Sequence, residues 1–459
     1  MLSIDNMATP FDLVTGPGVY IDKSHCGYCG DEHSSKLFGF DVKKMNCDQY
    51  QSLINRGFRR SGKFIYKPDS LNSCCAQYSM RLDVAKFKPT KEHRQALNRF
   101  NRLIMKEGSE SQVKTKGKHN QFDLLGAIDQ VQASSSEITI VFETTKFRQE
   151  KFDLFKRYQI AIHKEEEDKV SAEGFERFLC NSPLDVGKSC EGNTTTSDAE
   201  TFDFESPKTS DSETPDSEAF DFDSPKASDT AEIVEITPSF RGSVHQMYYY
   251  KDELLAIGVI DIVDQGVSSV YLIWDPNHPE MGLGKVASLY EIALAKRLGL
   301  PYYYLGFYIH TCPKMHYKAT YSPSEFLDPQ CLDFDRSKVD GWFPIERYFE
   351  RFEQSPYVSM SDRKLEKPQR GLELSSNVTG DLFNSGMPGV LTQDELTQQC
   401  EEQQFDIAEI PLVIPGLDQA VSIGDMTGLF QERIHQMCAH LVAAIGIELA
   451  NNLYVDFSR

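Results

Sequence analysis

Four cysteines near the N-terminus carry the chemistry that is easiest to read. Cys26-Gly27-Tyr28-Cys29 is a CxxC knuckle followed by Gly30, and a second pair, Cys74-Cys75, lies 45 residues further on. Glycines at such a knuckle let the backbone wrap its amides around a bound centre, and four thiolates in two local pairs suit tetrahedral zinc or an iron–sulfur cluster. The same residues would also read as buried apolar cysteines, or the CxxC as a thiol redox pair. The adjacent ligands at 74 and 75 depart from standard finger spacing.

Around the cysteines runs a basic, aromatic segment, Arg56-Gly57-Phe58-Arg59-Arg60-Ser61-Gly62-Lys63-Phe64-Ile65-Tyr66-Lys67-Pro68, and then Cys75-Ala76-Gln77-Tyr78-Ser79-Met80-Arg81. Guanidinium groups beside aromatic rings hold phosphate or carboxylate through paired hydrogen bonds. The plainer reading is a solvated basic face. Net charge does not decide between them until its distribution is seen. The chain of 459 residues carries −21, but residues 190–235 hold fourteen Asp/Glu against two Lys and supply −12 of it, whereas Arg56–Arg102 holds twelve Lys/Arg against three Asp/Glu. Overall acidity therefore leaves an RNA or an acidic ligand open at the basic end.

These side chains need a frame, and the strongest one lies between Leu254 and Tyr317. Leu254–Val263 and Val267–Trp274 are β-branched apolar runs separated by Asp264-Gln265-Gly266, which predicts a hairpin. A glycine turn, Gly282-Leu283-Gly284, precedes an Ala/Leu-rich helix over Val286–Leu298 closed by Gly299, and Tyr302–Ile309 reads as a further strand. Strand, strand, glycine turn, helix, strand is the core of an acyl-transferase fold. The fold class expected is α/β, with a GNAT-like mixed sheet flanked by helices and an N-terminal Cys-rich metal- or cluster-binding domain. In related acyl-CoA enzymes the glycine turn presents amides to pyrophosphate. Here Pro279 stands three residues before Gly282, where those enzymes usually carry Gln or Arg, so coenzyme A is not expected.

Composition divides the rest. Residues 1–15 read as a flexible N-terminus, 16–106 as the Cys-rich domain, 107–135 as a polar flexible insertion, 136–189 as the start of a catalytic region, 190–235 as a disordered acidic linker, 236–365 as the transferase domain and 366–459 as a C-terminal extension. The linker repeats Phe202-Asp-Phe-Glu-Ser-Pro-Lys208 as Phe220-Asp-Phe-Asp-Ser-Pro-Lys226, so Ser206 and Ser224 are phosphorylation candidates in what is otherwise a spacer. Residues 355–400 look loop-rich. Lys91–Lys106 and Phe430–Leu449 show helical apolar stripes. No apolar run approaches the roughly 18 residues of a membrane span, and neither a basic nor an apolar leader opens the chain. A soluble cytoplasmic, or also nuclear, monomer is expected.

At this point the residues resemble a known family. The Cys26–Cys29 knuckle, Gly57-Phe58-Arg59-Arg60-Ser61-Gly62, Tyr66-Lys67-Pro68 and Cys74–Arg81 are similar to the N-terminal signature of eukaryotic arginyltransferases, which move arginine from its tRNA to protein N-termini. Ala76 stands where the family commonly has proline, a change at a turn that leaves the ligands intact. Phe155–His163, Gly174–Cys180, Gly258-Val259-Ile260-Asp261, Ser268-Ser269-Val270-Tyr271 and Tyr308–Met315 extend the likeness over most of the folded chain. The resemblance implies arginyl-tRNA as donor and proteins beginning with Asp, Glu or oxidised Cys as acceptors, marked by the transfer for ubiquitin-dependent degradation. It implies Cys26, Cys29, Cys74 and Cys75 as ligands of zinc or an iron–sulfur cluster, with a structural or redox-sensing role. It also implies a cationic pocket for the acidic first residue, drawn from Arg59, Arg60, Lys67 and Arg81, some of which would hold tRNA phosphates.

Aminoacyl transfer starts from an activated ester, so three tasks remain: holding the acceptor amine, removing its proton and stabilising the oxyanion. Backbone amides where strands separate serve the last. For the proton, His245, Asp261 and Tyr271 are the candidates. Asp261 leads, because a lone carboxylate in an apolar strand is costly unless it meets a cation, here the arginyl guanidinium or the acceptor ammonium. A carboxylate at a wet strand end is the alternative. An acetyl-CoA-dependent N-acetyltransferase and a non-catalytic metal-binding adaptor for acidic peptides are the competing functions.

Overall fold

A computed structural model of the chain describes residues 12–105, 122–184, 230–331, 341–361, 380–417 and 419–458. The two Ser-Pro sites and most of the acidic linker lie outside them. Among the described residues sixteen strands form two sheets. Five come early, β1 (Leu13–Thr15), β2 (Val19–Ser24), β3 (Ser35–Lys44), β4 (Arg59–Ser61) and β5 (Phe64–Pro68). Eight follow, β6 (Tyr78–Asp83), β7 (Ile138–Glu143), β8 (Gly242–Tyr250), β9 (Glu253–Val263), β10 (Gly266–Trp274), β11 (Tyr302–Tyr308), β12 (Ser324–Leu327) and β13 (Trp342–Pro344). The last three are β14 (Pro411–Val413), β15 (Val421–Ser422) and β16 (Leu453–Asp456).

The first sheet runs β15-β14-β16-β1-β3-β5-β4, with β2 added to β3, so both ends of the chain build it. The second runs β13-β12-β6-β11-β10-β9-β8-β7. Residues 16–106 therefore contribute to both sheets, and the described part of 366–459 shares a sheet with residues 12–68. The reason is β6: it is buried on both faces, Tyr78, Met80 and Leu82 on one and Ser79 and Arg81 on the other, and it lies between β11 and β12, where a strand needs cover on both sides.

The expected hairpin forms as β9 and β10, with Val263 opposite Gly266 across the turn. The expected helix forms as well. Among the described residues the helices up to the end of this one are α1 (Cys47–Ile54), α2 (Lys91–Ile104), α3 (Leu124–Ser134), α4 (Gln149–Tyr158), α5 (Ala172–Phe175) and α6 (Leu283–Arg297). Gly299 at φ +68° ends α6, and Leu300 N–H donates to Ala295 O at 2.9 Å, a left-handed closure that glycine adopts without penalty. α3 falls where a flexible insertion was expected. Asp123 caps it through Gly126 N–H, and Leu124, Ala127, Ile128 and Val131 are buried at steps of three and four, a short stripe hidden between polar flanks. In the loop-rich stretch, Gln393–Gln403 is helical behind a Thr392–Glu395 capping box. The C-terminal stripe forms as Leu429–Ile445, broken by Gly446, with Phe430 left exposed.

The first sheet packs on one face of the second. Residues from both, including Phe38, Phe58, Val263, Tyr304 and Trp342, share one core. On the other face α6 and α2 close a second core with Val286, Leu289, Ile292 and Phe100.

Candidate active site at the fork of the second sheet

β10 and β11 are parallel neighbours for only three residue pairs, Gly266–Tyr302, Val267–Tyr303 and Ser268–Tyr304. Beyond Ser268 no further pair forms, although both strands continue. Each strand is irregular at that point: β10 shifts register against β9 between Ser269 and Tyr271, and β11 against β6 between Tyr304 and Gly306. Gly306 sits at φ +74°. Bulges of this kind bend strands apart and leave backbone groups without ladder partners. The result is a fork whose inner edges carry free backbone polar groups.

One side chain answers that need, and a second stands at the base of the fork. Lys318, half-buried on the 3₁₀ segment Pro313–Thr320, donates from Nζ to Leu305 O and Phe307 O, each at 2.7 Å. Burial, with a smaller push from the Arg59 charge, lowers its pKa to about 8. From α6, Glu291 reaches the base of the fork. Its carboxylate accepts from Tyr303 OH at 2.6 Å; burial raises its pKa to about 7, with Tyr303 and the nearby Ser269 side chain favouring the charged form. Gly258 leaves it room, since a Cβ there would lie 3.0 Å from Oε1.

The cysteine knuckle sits just beyond the end of β11. The Sγ atoms of Cys26, Cys29, Cys74 and Cys75 all lie within 4.8 Å of one another, an arrangement able to hold a metal ion. Gly30 at φ +79° lets its N–H return to Cys26 O at 2.9 Å. Cys26 and Cys75 are buried against Ile309 and Cys312, directly after β11, whereas Cys29 and Cys74 face solvent.

The other candidates are distributed differently. Asp261 is fully buried and receives Arg60 in a two-pronged pair, Nε to Oδ2 and Nη2 to Oδ1 at 2.7 Å each, with Ser243 Oγ donating at 2.6 Å. The cation expected to come from a substrate is thus internal, supplied by β4, and the pair bolts the first sheet to the second. The adjoining β4–β5 turn is closely seated: a Cβ on Gly62 would strike the Arg177 carbonyl. His245 is also fully buried, Nε2 lies 3.0 Å from Leu179 O, and burial lowers its pKa to about 3. A neutral ring donating to a carbonyl has no open face for a substrate proton. Only Tyr271 of the three is near solvent, its hydroxyl 3.2 Å from His163 Nε2 in a cluster with Tyr158 and Phe178.

The basic residues are equally committed. Lys67 is buried with Nζ on Gly389 O, and burial lowers its pKa to about 7. Arg81 bonds Glu325 at 2.8 Å and lies over Tyr302 and Trp342, 3.9 and 4.4 Å from the ring centres. Arg59 spends Nη1 on Ile54 O and Phe58 O, while its Nε and Nη2 are buried without an acceptor beside Phe307. Arg59 thus keeps two buried donor atoms without an acceptor, on the side facing the fork strand β11. At the start of α6, Gly282 at φ +62° opens a cleft of about 440 Å³ lined by Trp274, His278, Gly284, Arg99 and Lys285, the last paired with Glu92 at 2.7 Å.

Sequence reading missed Glu291 and Lys318. Glu291 had a legible signal: it sits on the inward stripe of a helix, with Ala287, Leu294 and Ala295 buried at its i−4, i+3 and i+4 positions. Lys318 had none, because its role exists only once the fork opens.

Residues 24–95 match the family model for the N terminus of arginine-tRNA-protein transferases, and residues 150–328 match the model for their C terminus. The chain belongs to this family. Arginyl-tRNA--protein transferase 1 of Saccharomyces cerevisiae is 34% identical over 68% of this chain and 54% of its own length. The Drosophila melanogaster protein of the same name is 29% identical over 73% of this chain and 84% of its own. An aspartate/glutamate leucyltransferase of Nitrosococcus oceani is 27% identical over 65% and 88%. The chain thus spans about half the length of the yeast relative it matches. Both the knuckle and the fork fall inside the matched segments. Among the described residues no helix is long and apolar enough to cross a membrane.

Proposed function

We propose that this chain transfers arginine from arginyl-tRNA to the α-amine of proteins that begin with Asp, Glu or oxidised Cys, in the cytoplasm or nucleus, and so marks them for degradation. The observation that carries the proposal is the fork: a separation of parallel strands, inside the family's C-terminal segment, with the cysteine knuckle of the N-terminal segment packed just beyond the end of β11.

The chemistry needs little else. The donor ester is activated, so the barrier is met by holding the amine against the carbonyl and by stabilising the oxyanion. Backbone N–H groups freed at the two bulges are suited to the oxyanion, since dipoles fixed in a dry site need no rearrangement during reaction. Lys318 keeps the β11 carbonyls in place and adds positive charge where negative charge develops. Arg59, with buried donors to spare, supports recognition of an acidic side chain. The leucyltransferase relative, whose name carries aspartate/glutamate, supports the acidic acceptor.

Cys26, Cys29, Cys74 and Cys75 would hold the metal. A tetrahedral Zn–S bond of about 2.3 Å sets sulfurs about 3.8 Å apart; Cys29 and Cys74 are 3.4 Å apart. Separations of this size support a single ion over a larger cluster. Bound there, a metal would fix the knuckle against Ile309 and Cys312 and so hold the end of β11.

A transfer assay tests the reading. Purified protein is given an Asp-initiated or a Lys-initiated peptide with labelled arginyl-tRNA or labelled acetyl-CoA. Label is expected only from arginyl-tRNA and only on the Asp peptide. Label from acetyl-CoA alone would replace the reading with an acetyltransferase.

A further inference from the structure

We infer that Glu291 is the proton acceptor of the transfer reaction, acting through the Ser269 hydroxyl at the point where β10 and β11 separate. This rests on the transfer reaction proposed above.

Three observations carry it. The first is position. Ser269 directly follows the last ladder pair, Ser268–Tyr304, on the bulged strand, and it is half-buried at the wall of the fork. The Ser269 side chain stands beside Glu291 and favours its charged form, so the carboxylate, itself inaccessible, faces the fork past one O–H. The second is charge. Other buried carboxylates of this lobe have a cation or backbone amides: Asp261 has Arg60, Glu143 has Arg148 and Lys151, and Asp328 takes Gln330, Met360 and Ser361 N–H. Among the described residues no ion pair involves Glu291, and the side chains that favour its charged form are two hydroxyls, Tyr303 and Ser269. The titratable groups facing it are Tyr303 from β11, Tyr248 from β8, and Tyr317 and Tyr321 from the adjoining segment. Burying a carboxyl among phenols with no cation is unfavourable, and a leucine would pack the stripe of α6 better. The third is room made for it: the glycine at 258 spares the carboxylate a contact that any side chain would make. Burial then brings its ionisation to about pH 7, where an acid–base group works best.

The proton balance closes. The acceptor arrives as ammonium and releases one proton to solvent. As the C–N bond forms, the amine passes a second proton to Ser269 Oγ while the Ser269 proton moves to the Glu291 carboxylate. When the C–O bond of the ester breaks, the ribose oxygen takes the proton back along the same route. The products are the amide, tRNA with a free hydroxyl and one released proton, and Glu291 ends ionised as it began.

The test is the pH dependence of kcat/KM for arginine transfer to an Asp peptide, using full-length protein with its cysteine site as purified. Wild type is expected to rise with a slope of two on a log scale below pH 7, from Glu291 and the peptide α-amine, then with a slope of one to about pH 8, where the α-amine ionises. Glu291→Gln is expected to lose about 100-fold at pH 8 and keep only the slope of one. Tyr303→Phe, which removes a donor that favours the carboxylate, is expected to move the lower limb upward, and it serves if Glu291→Gln does not fold. A folded Glu291→Gln variant with activity within threefold and a slope of two, or a Tyr303→Phe limb that stays in place, overturns the inference. A carboxyl infrared band titrating near pH 7 in wild type and missing from Glu291→Gln supports it independently of any donor. Wild type that transfers nothing from arginyl-tRNA removes the proposed function, and the inference falls with it.

Discussion

The two faces of the second sheet each hide a carboxylate, and they solve the problem in opposite ways. Asp261, on β9 toward the first sheet, meets a cation: Arg60 grips both oxygens and Ser243 adds a third donor. Glu291, on α6 against the other face, meets hydroxyls only. A charge matched in place is frozen, which suits a bolt between sheets. A carboxyl without a counter-charge is poised between protonation states, which suits a group that must change state during a reaction. Burial alone therefore does not distinguish structure from function; the partner does.

The sharpest way to break this contrast is to remove the cation from the first face. Arg60→Ala leaves the Asp261 carboxylate buried and unpaired, which costs about 3–5 kcal/mol. Chemical denaturation should show that loss, and the double variant Arg60→Ala/Asp261→Ala should recover part of it. A cost below about 1 kcal/mol for Arg60→Ala would mean that the two sheets are not held by this pair.

Next comes the opposite pH response of the two faces. The Glu291 carboxyl ionises near 4.5 when unfolded and near 7 when folded. Between those values the folded state holds a proton that the unfolded state has lost, so stability falls as pH rises through the window, by about 1.4 kcal/mol per unit and roughly 3 kcal/mol in all. His245 runs the other way. Its folded pKa of about 3 lies below the unfolded 6.5. The unfolded state then binds the extra proton between those values, and stability is lost as pH falls through them. Melting curves across pH 4–8 should therefore show Glu291→Gln flattening the decline toward neutral pH and His245→Asn flattening the decline toward acid. If Glu291→Gln leaves the neutral-side slope as in wild type, Glu291 is not the uncompensated group.

Cys26→Ser should have a smaller and more local effect. It removes one of four mutually close sulfurs, and elemental analysis should find bound zinc or iron falling from about one equivalent toward none. Unchanged metal content would return the cysteines to packing residues. The global fold should survive, because Cys26 and Cys75 lie in a small cluster of their own with Ile309, Cys312 and Met315, apart from the large cores.

The secondary structure around the fork was legible because strands and helices announce themselves by period: β9, β10, α6 and β11 lie within a few residues of their predicted bounds. The cysteine set was legible because ligand spacing is a local pattern. What sequence could not supply was the other side of each contact. Asp261 was rightly marked as a carboxylate that must meet a cation, but its partner lies 201 residues away on a strand of three, and nothing in either segment ties them together. The same holds for β6, whose neighbours β11 and β12 come more than 200 residues later. Glu291 was overlooked because one acid in a helix usually faces water. Only its place among buried i±3 and i±4 neighbours marks it as unusual.

The smallest effect is expected at Tyr271, and it tests whether the aromatic cluster belongs to the site or beside it. Its hydroxyl meets an exposed His163 at 3.2 Å, and a hydrogen bond near solvent contributes at most about 1 kcal/mol. The ring itself packs on Phe178 and Tyr158, at 5.1 and 6.3 Å between centres, and Tyr271→Phe keeps that packing. If Glu291 and Ser269 carry the proton, the phenol is not on the path. Transfer by Tyr271→Phe should then stay within about twofold of wild type with both pH limbs in place. A loss of tenfold or more, with the lower limb abolished, would move proton handling from the α6 face of the fork to the Tyr271–His163 pair and reverse the division of labour drawn from the two carboxylates.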